Sequence, residues 1–112
     1  MDTIMSTRDI IAERDNGCCV RCGKYCIGQT ASIHHRKRRS QANKRERDQP
    51  QNLVLLCGTG TTGCHGWAHA NVADAQTMGY LLHSWEDPAA RPVYTKDGWK
   101  QPLEDGTYKT IN

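Results

Sequence analysis

Apolar residues along this chain fall in short, separated clusters, and the only continuous aliphatic run is Leu53-Val54-Leu55-Leu56. Four aliphatic residues without alternation predict a strand buried on both faces. Upstream, residues 6–16 predict a short helix, with Ser6 or Thr7 as its cap. Ile10, Ile11 and Ala12 give that helix an apolar face, and Asn16-Gly17 ends it. Cys18 to Cys26 reads as a tight, glycine-bearing knuckle, and residues 29–35 (QTASIHH) as a strand that delivers a histidine pair. Residues 36–51 carry many charges and few apolar groups, which predicts a loop closed by Pro50-Gln51-Asn52. Gly58 to Gly63 is a polar Gly/Thr turn. From His65 to about Thr77 the sequence HGWAHANVADAQT favours helix, with Trp67, Ala68, Val72 and Ala75 inward. Beyond Met78, Pro88 and Pro92 interrupt the chain. The dipeptides Asp97-Gly98 and Asp105-Gly106 separate the short runs PVYT, WKQPL and TYKTI, the pattern of a small β hairpin or meander.

Composition adds a constraint. A chain of 112 residues holds one small domain. Only 37% of its residues are hydrophobic and none is Phe; the mean hydropathy is −0.76. So thin a core calls for a staple, either disulfides or a structural metal, and six cysteines are available for one. The amino-terminal MDTIMSTRDIIAERD has neither a basic n-region nor an apolar h-region, so no signal peptide is expected. No apolar run approaches the roughly 20 residues of a membrane span. The expected location is the cytoplasm, where thiols stay reduced and metal is favoured over disulfide. In a secreted chain the same cysteines would read as a disulfide framework.

The net charge of +3 is modest, but its distribution is not. Arg36, Lys37, Arg38, Arg39, Lys44, Arg45 and Arg47 face one acid, Glu46, within a single stretch. Such a cluster is the footprint of a phosphate-backbone partner, with a solvated basic loop as the plain alternative.

Candidate chemistry decides between them. Cys19-x2-Cys22 is a strong half of a zinc site, and Cys57-x6-Cys64 supplies a looser second half across small, flexible residues. Cys19, Cys22, Cys57 and Cys64 are therefore the expected ligands of a structural Zn2+, with Cys18 and Cys26 left over. His65 and His69 stand at i and i+4, on one face of a helix, so both imidazoles reach one ion. His34 and His35 are neighbours on a strand and point to opposite faces. One is free to bind metal while the other faces substrate as a general base, a role suited to a side chain that titrates near neutrality. His83 stands alone and reads as an ordinary surface or core histidine.

The order Cys-x2-Cys, His-His, Asn-Leu, Cys, Cys-His-x3-His, in the text CVRCG, SIHHR and NLVLLCGTGTTGCHGWAHAN, resembles the HNH endonucleases, specifically the small ones encoded by bacteriophages. The resemblance covers residues 14 to about 77 well and residues 78–112 more weakly. It implies an α+β domain built on the ββα-metal motif and stapled by the four-cysteine site. Residues 1–77 would form the nuclease domain, and 78–112 a short β-rich carboxy-terminal extension packed on it. It implies His35 as the general base, and His34 as a metal ligand where the family usually has Asp. Asn52 would orient the base or constrain the loop between the strands. His65 would be a ligand, and His69 a further ligand that only some members possess.

The implied function is metal-dependent hydrolysis of DNA phosphodiesters, by nicking or double-strand cleavage and with weak sequence specificity. Arg36, Lys37, Arg38, Arg39, Lys44, Arg45 and Arg47 would hold phosphates. The catalytic cation would be Mg2+, Mn2+, Ni2+ or Zn2+, and an imidazole-rich set leans away from Mg2+. Phage members of this group resemble partners of the terminase in genome packaging, which makes a terminase large subunit an expected partner and the host cytoplasm the expected location. The main rival is a non-catalytic zinc-ribbon DNA-binding module, which uses the cysteines and the basic loop but has no need of His34, His35, His65 and His69.

Overall fold

The computed structural model describes residues 6–111. The first five positions of the stretch read for a leader, and Asn112 at the end of the expected extension, lie outside it.

The centre of the molecule is a two-stranded antiparallel hairpin. Strand β1 (Ala31–His35) pairs with β2 (Leu53–Cys57) in the register Ala31 to Cys57 and His35 to Leu53. All four aliphatic residues of β2 are buried, as an unbroken apolar run requires. Helix α1 (Thr7–Arg14) and helix α3 (Gly63–Ala70) both pack on β2. Ser6 caps α1 by accepting from the Asp9 N–H at 3.1 Å. Only Ile11 of the expected apolar face is fully buried; Ile10 and Ala12 lie at its margin. The core is small, joining Ile11, Val20, Leu53 to Leu56, Ala68, Ala75, Tyr80, Leu81 and Val93. Burial of each of the larger aliphatic residues is worth about 1.5–3 kcal/mol, a modest sum for a domain of this length.

Three expectations require correction. The segment 36–51 is not all loop. Asn43 and Glu46 form a reciprocal capping box on a short helix, α2 (Lys44–Arg47), and a 3-10 turn spans Pro50–Asn52. The expected helix over 65–77 begins earlier and breaks in two. Asn71 sits at φ −127°, ψ 62°, between α3 and α4 (Val72–Thr77). That break leaves Val72 exposed where an inward position was expected. The expected strand from residue 29 starts at Ala31.

The carboxy-terminal runs form a three-stranded antiparallel meander, β3 (Val93–Thr95), β4 (Gly98–Pro102) and β5 (Tyr108–Thr110). A buried network ties it back to the hairpin. Asp15 accepts from the Tyr108 hydroxyl at 2.6 Å, from the Leu55 N–H at 3.0 Å and from Arg14. The result is a mixed helix-and-strand domain of the ββα type, with β1, β2 and α3 at its heart. Among the described residues no helix is long and apolar enough to cross a membrane.

Candidate active site

The knuckle and the β2–α3 junction converge on four thiols. The sulfurs of Cys19, Cys22, Cys57 and Cys64 all lie within 4.8 Å of one another, and those of Cys22 and Cys57 are 3.9 Å apart. Four sulfurs about 2.3 Å from one tetrahedral zinc stand about 3.8 Å from each other, so the set fits that ion. The loop between Cys57 and Cys64 closes tightly enough only because of its glycines. Gly58 and Gly63 adopt φ +87° and +60°, and a Cβ on Gly58 would stand 2.1 Å from the Thr62 carbonyl oxygen.

Electrostatics point the same way. Burial pushes the Cys64 thiol up to about 12 and raises Cys19 as well. Cys22 is lowered: hydrogen bonds from the Lys24 backbone and neighbouring thiols outweigh its own desolvation. Four thiolates this close need a cation to hold their charge, and an all-sulfur set with no open position suits structural zinc. Arg21 adds positive charge, donating to the Cys64 sulfur at 3.4 Å while its guanidinium lies 3.7 Å over the Trp67 ring. Cys18 and Cys26 stand outside the set, each directed at a backbone carbonyl.

One residue beyond Cys64, α3 presents His65 and then His69 toward the end of β1. A ligand nitrogen from each of His34, His65 and His69 lies within 4.8 Å of the others, and Nε2 of His65 is 3.1 Å from Nε2 of His69. Two imidazole nitrogens about 2.0–2.1 Å from one tetrahedral ion stand about 3.4 Å apart, so this set also fits a cation. His34 is 2% exposed, and its Nε2 is 2.6 Å from the Tyr80 carbonyl oxygen. A carbonyl only accepts, so Nε2 carries the proton and Nδ1 keeps its lone pair. Burial lowers the His34 pKa to about 3 and also lowers that of His65, which favours the neutral, metal-binding imidazoles. Among the described residues the buried Nδ1 of His65 has no hydrogen-bond partner.

His35 leaves β1 on the other side, half-buried, with Nε2 3.1 Å from the Asp48 carboxylate. The hydrogen bond from His35 holds the Asp48 carboxyl below its usual range. Among the described residues Asn52 hydrogen-bonds to neither histidine through its side chain. Fully buried, it accepts from the Lys37 N–H at 2.7 Å and donates to the carbonyls of Lys37 and Arg47 at 3.2 and 3.0 Å. It thus clasps both ends of the loop that carries the basic cluster and Asp48. Of the two roles the resemblance implies for Asn52, these hydrogen bonds are those of a loop constraint.

The basic cluster divides. Arg36 is 0% exposed and donates to the carbonyls of Gly79, Gln51, Pro88, Arg91 and Pro92. Lys37 is 5% exposed and is bound by Glu46 at 3.0 Å. The charged ends of both are engaged inside the fold. Arg38, Arg39, Lys44 and Arg45 are exposed. Arg47 is half-buried, with its Nε 3.4 Å from Asp48.

Asp48, Arg21 and the Tyr80 carbonyl escaped the sequence reading. Asp48 is one acid in a charge-dense stretch, and nothing in its spacing sets it apart from Glu46. Arg21 lies inside the Cys-x2-Cys knuckle, a position that hints at a cation beside sulfur. A backbone carbonyl leaves no mark in the sequence.

Compared with known families, residues 19–70 match the model of the HNH endonucleases. No curated protein and no solved structure matches the chain. The matched span runs from the first cysteine of the zinc set to one residue past His69, and so contains both clusters.

Proposed function

We propose, from the match of residues 19–70 to the HNH endonuclease model, that the chain is a metal-dependent DNA endonuclease that hydrolyses phosphodiester bonds. One observation carries the reading: three imidazoles from β1 and α3 converge on a single point, beside a fourth held by a carboxylate. In this reading His34, His65 and His69 hold a divalent cation, which when bound stabilises charge on the phosphate and on the departing oxygen. The all-nitrogen set favours Zn2+, Ni2+ or Mn2+ over Mg2+. His35 is the general base. Asp48 takes its Nε2 proton in a hydrogen bond, which leaves the Nδ1 lone pair to accept a proton from the attacking water. Asn52 is a positioning residue that fixes the loop bearing Asp48. Arg38, Arg39, Lys44 and Arg45 neutralise phosphates on either side of the scissile bond, with Arg47 at the margin.

We place the nuclease domain in residues 1–77 and treat 78–112 as an extension packed on it. Phage origin, nicking as the mode of cleavage, and partnership with a terminase large subunit in genome packaging rest on the sequence resemblance alone. The non-catalytic zinc-ribbon reading gives the three-histidine cluster no task, and the same experiment separates the two. Plasmid nicking in Mg2+, Mn2+, Ni2+ and Zn2+ is expected from the wild-type chain. His35→Ala should lower the rate by about 10²–10⁴-fold with zinc content and fold retained. Undiminished nicking by that variant would reject His35 as the base; no nicking by the wild-type chain with any ion would reject the enzyme.

A further inference from the structure

Trp85 is 79% exposed, far more than a residue of its size ordinarily is when it serves packing. It is nevertheless not loose. The His83 imidazole stacks on it with ring centroids 4.4 Å apart and planes 14° from parallel. His83 is itself fixed, since its backbone N–H donates to Glu86 Oε1 at 2.9 Å and its ring Nδ1 lies 2.8 Å from the same oxygen. The other Glu86 oxygen accepts from Arg91 Nε at 3.1 Å, and Arg91 donates to the Gln76 carbonyl at 2.7 Å. One broad face of the indole is thus backed by a second ring on a braced turn, and the other stands in water.

The position of this turn connects it to the site. The Leu82 N–H donates to the Arg36 carbonyl at 2.8 Å, and Tyr80 holds His34. The chain from Tyr80 to Leu82 therefore runs beside the end of β1. Three further residues take it to Trp85, no more than about 15 Å from Arg36 at about 3.3–3.6 Å per residue plus the hydrogen-bonded crossing. On the other side of Arg36 the chain passes directly to the exposed guanidinium groups of Arg38 and Arg39. Glu86, next to Trp85 in the chain, is already engaged by His83 and Arg91, and the exposed Asp87 accepts from the Ala89 N–H at 2.9 Å.

A flat, pre-ordered aromatic face on a segment hydrogen-bonded to Arg36, two residues before the exposed Arg38, has the chemistry of a base-stacking platform. Such platforms hold unpaired bases without reading their sequence. Resting on the nuclease reading, we infer that Trp85, backed by His83, stacks on an unpaired nucleobase, so that the substrate has single-stranded character beside the scissile phosphate. A base inside an intact duplex already has neighbours on both faces and offers none to the indole.

The test uses the full chain in a His35→Ala background, which slows cleavage, with a fluorescent single-stranded oligonucleotide and a blunt duplex of the same length. Trp85→Ala is expected to weaken single-strand binding by roughly 5- to 150-fold, with less effect on the duplex. Trp85→Phe should restore part of the loss. Zinc content and the unfolding midpoint should not change, because the side chain is so exposed. Equal single-strand affinity of Trp85→Ala and its parent, or Trp85-dependent self-association of the free chain without a DNA effect, overturns the platform. Wild-type nicking is measured in parallel. Nicking with Trp85-independent DNA binding overturns the platform alone; Trp85-dependent single-strand binding without nicking overturns the nuclease reading and leaves the platform.

Discussion

Nε2 of His35 lies 3.1 Å from Oδ1 of Asp48, across a loop whose two ends are held by Asn52. In the proposed mechanism this contact fixes the imidazole tautomer from outside the metal cluster, so Asp48 would act on the reaction through His35. Asp48→Ala is expected to lower kcat by on the order of 10-fold while KM and zinc content stay near wild type. Nicking kinetics under saturating metal would measure this; a change confined to KM would instead place Asp48 on the DNA.

The burial of Arg36 makes an opposite forecast for two neighbours of identical chemistry. Arg36→Met strips five carbonyl groups of their donor and should destabilise the protein by at least about 3 kcal/mol, read from urea unfolding. Burial lowers the Arg36 pKa to about 9, still high enough to keep it charged at neutral pH. Arg36→Lys, with a shorter reach and no fork, should recover only part of the loss.

Arg38→Ala and Arg39→Ala should leave the unfolding curve in place. Each should reduce the dependence of log affinity on log salt by about 0.7–0.9 if it meets one phosphate. A salt titration of DNA binding by each variant measures the slope.

The two clusters are expected to differ in their hold on metal. The cysteine set is closed and sulfur-only, whereas the histidine set has three nitrogens and an exposed member in His69. EDTA should therefore remove activity while about one zinc remains, and added Mn2+, Ni2+ or Zn2+ should restore nicking. Forcing out the remaining zinc with a stronger chelator should unfold the chain, seen as loss of helical circular dichroism. Because burial raises the Cys19 and Cys64 thiols, zinc return at neutral pH should release protons, which a weakly buffered indicator would register.

His65→Ala and His69→Ala test the open cluster. Each should weaken the second ion by at least about 10-fold in an activity titration, with His65 the costlier loss because it is the more buried of the pair. Neither should alter the zinc that survives EDTA.

Much of this organisation lies in local order along the chain. The unbroken run Leu53 to Leu56 determined a buried strand, because an apolar segment without alternation has no polar face to show water. Cys19-x2-Cys22 and His65-x3-His69 determined their partners through the fixed periods of a knuckle and a helix, and strand alternation separated His34 from His35. Even the short helix after Asn43 was legible in the Asn43–Glu46 capping pair, although the density of charge around it read as loop. What the tertiary structure alone decided is the fate of groups whose partners are distant in the chain. Arg36 and Arg38 are the same residue type two positions apart, yet one is consumed by carbonyls up to 56 residues away and the other is exposed. Asp48 was distinguished from Glu46 only when the loop folded back on His35, and the Tyr80 carbonyl acquired its role only when the extension crossed β1. Hydrogen-bond donors and acceptors are satisfied by proximity in space, and proximity between remote segments is a product of core packing that no local pattern records.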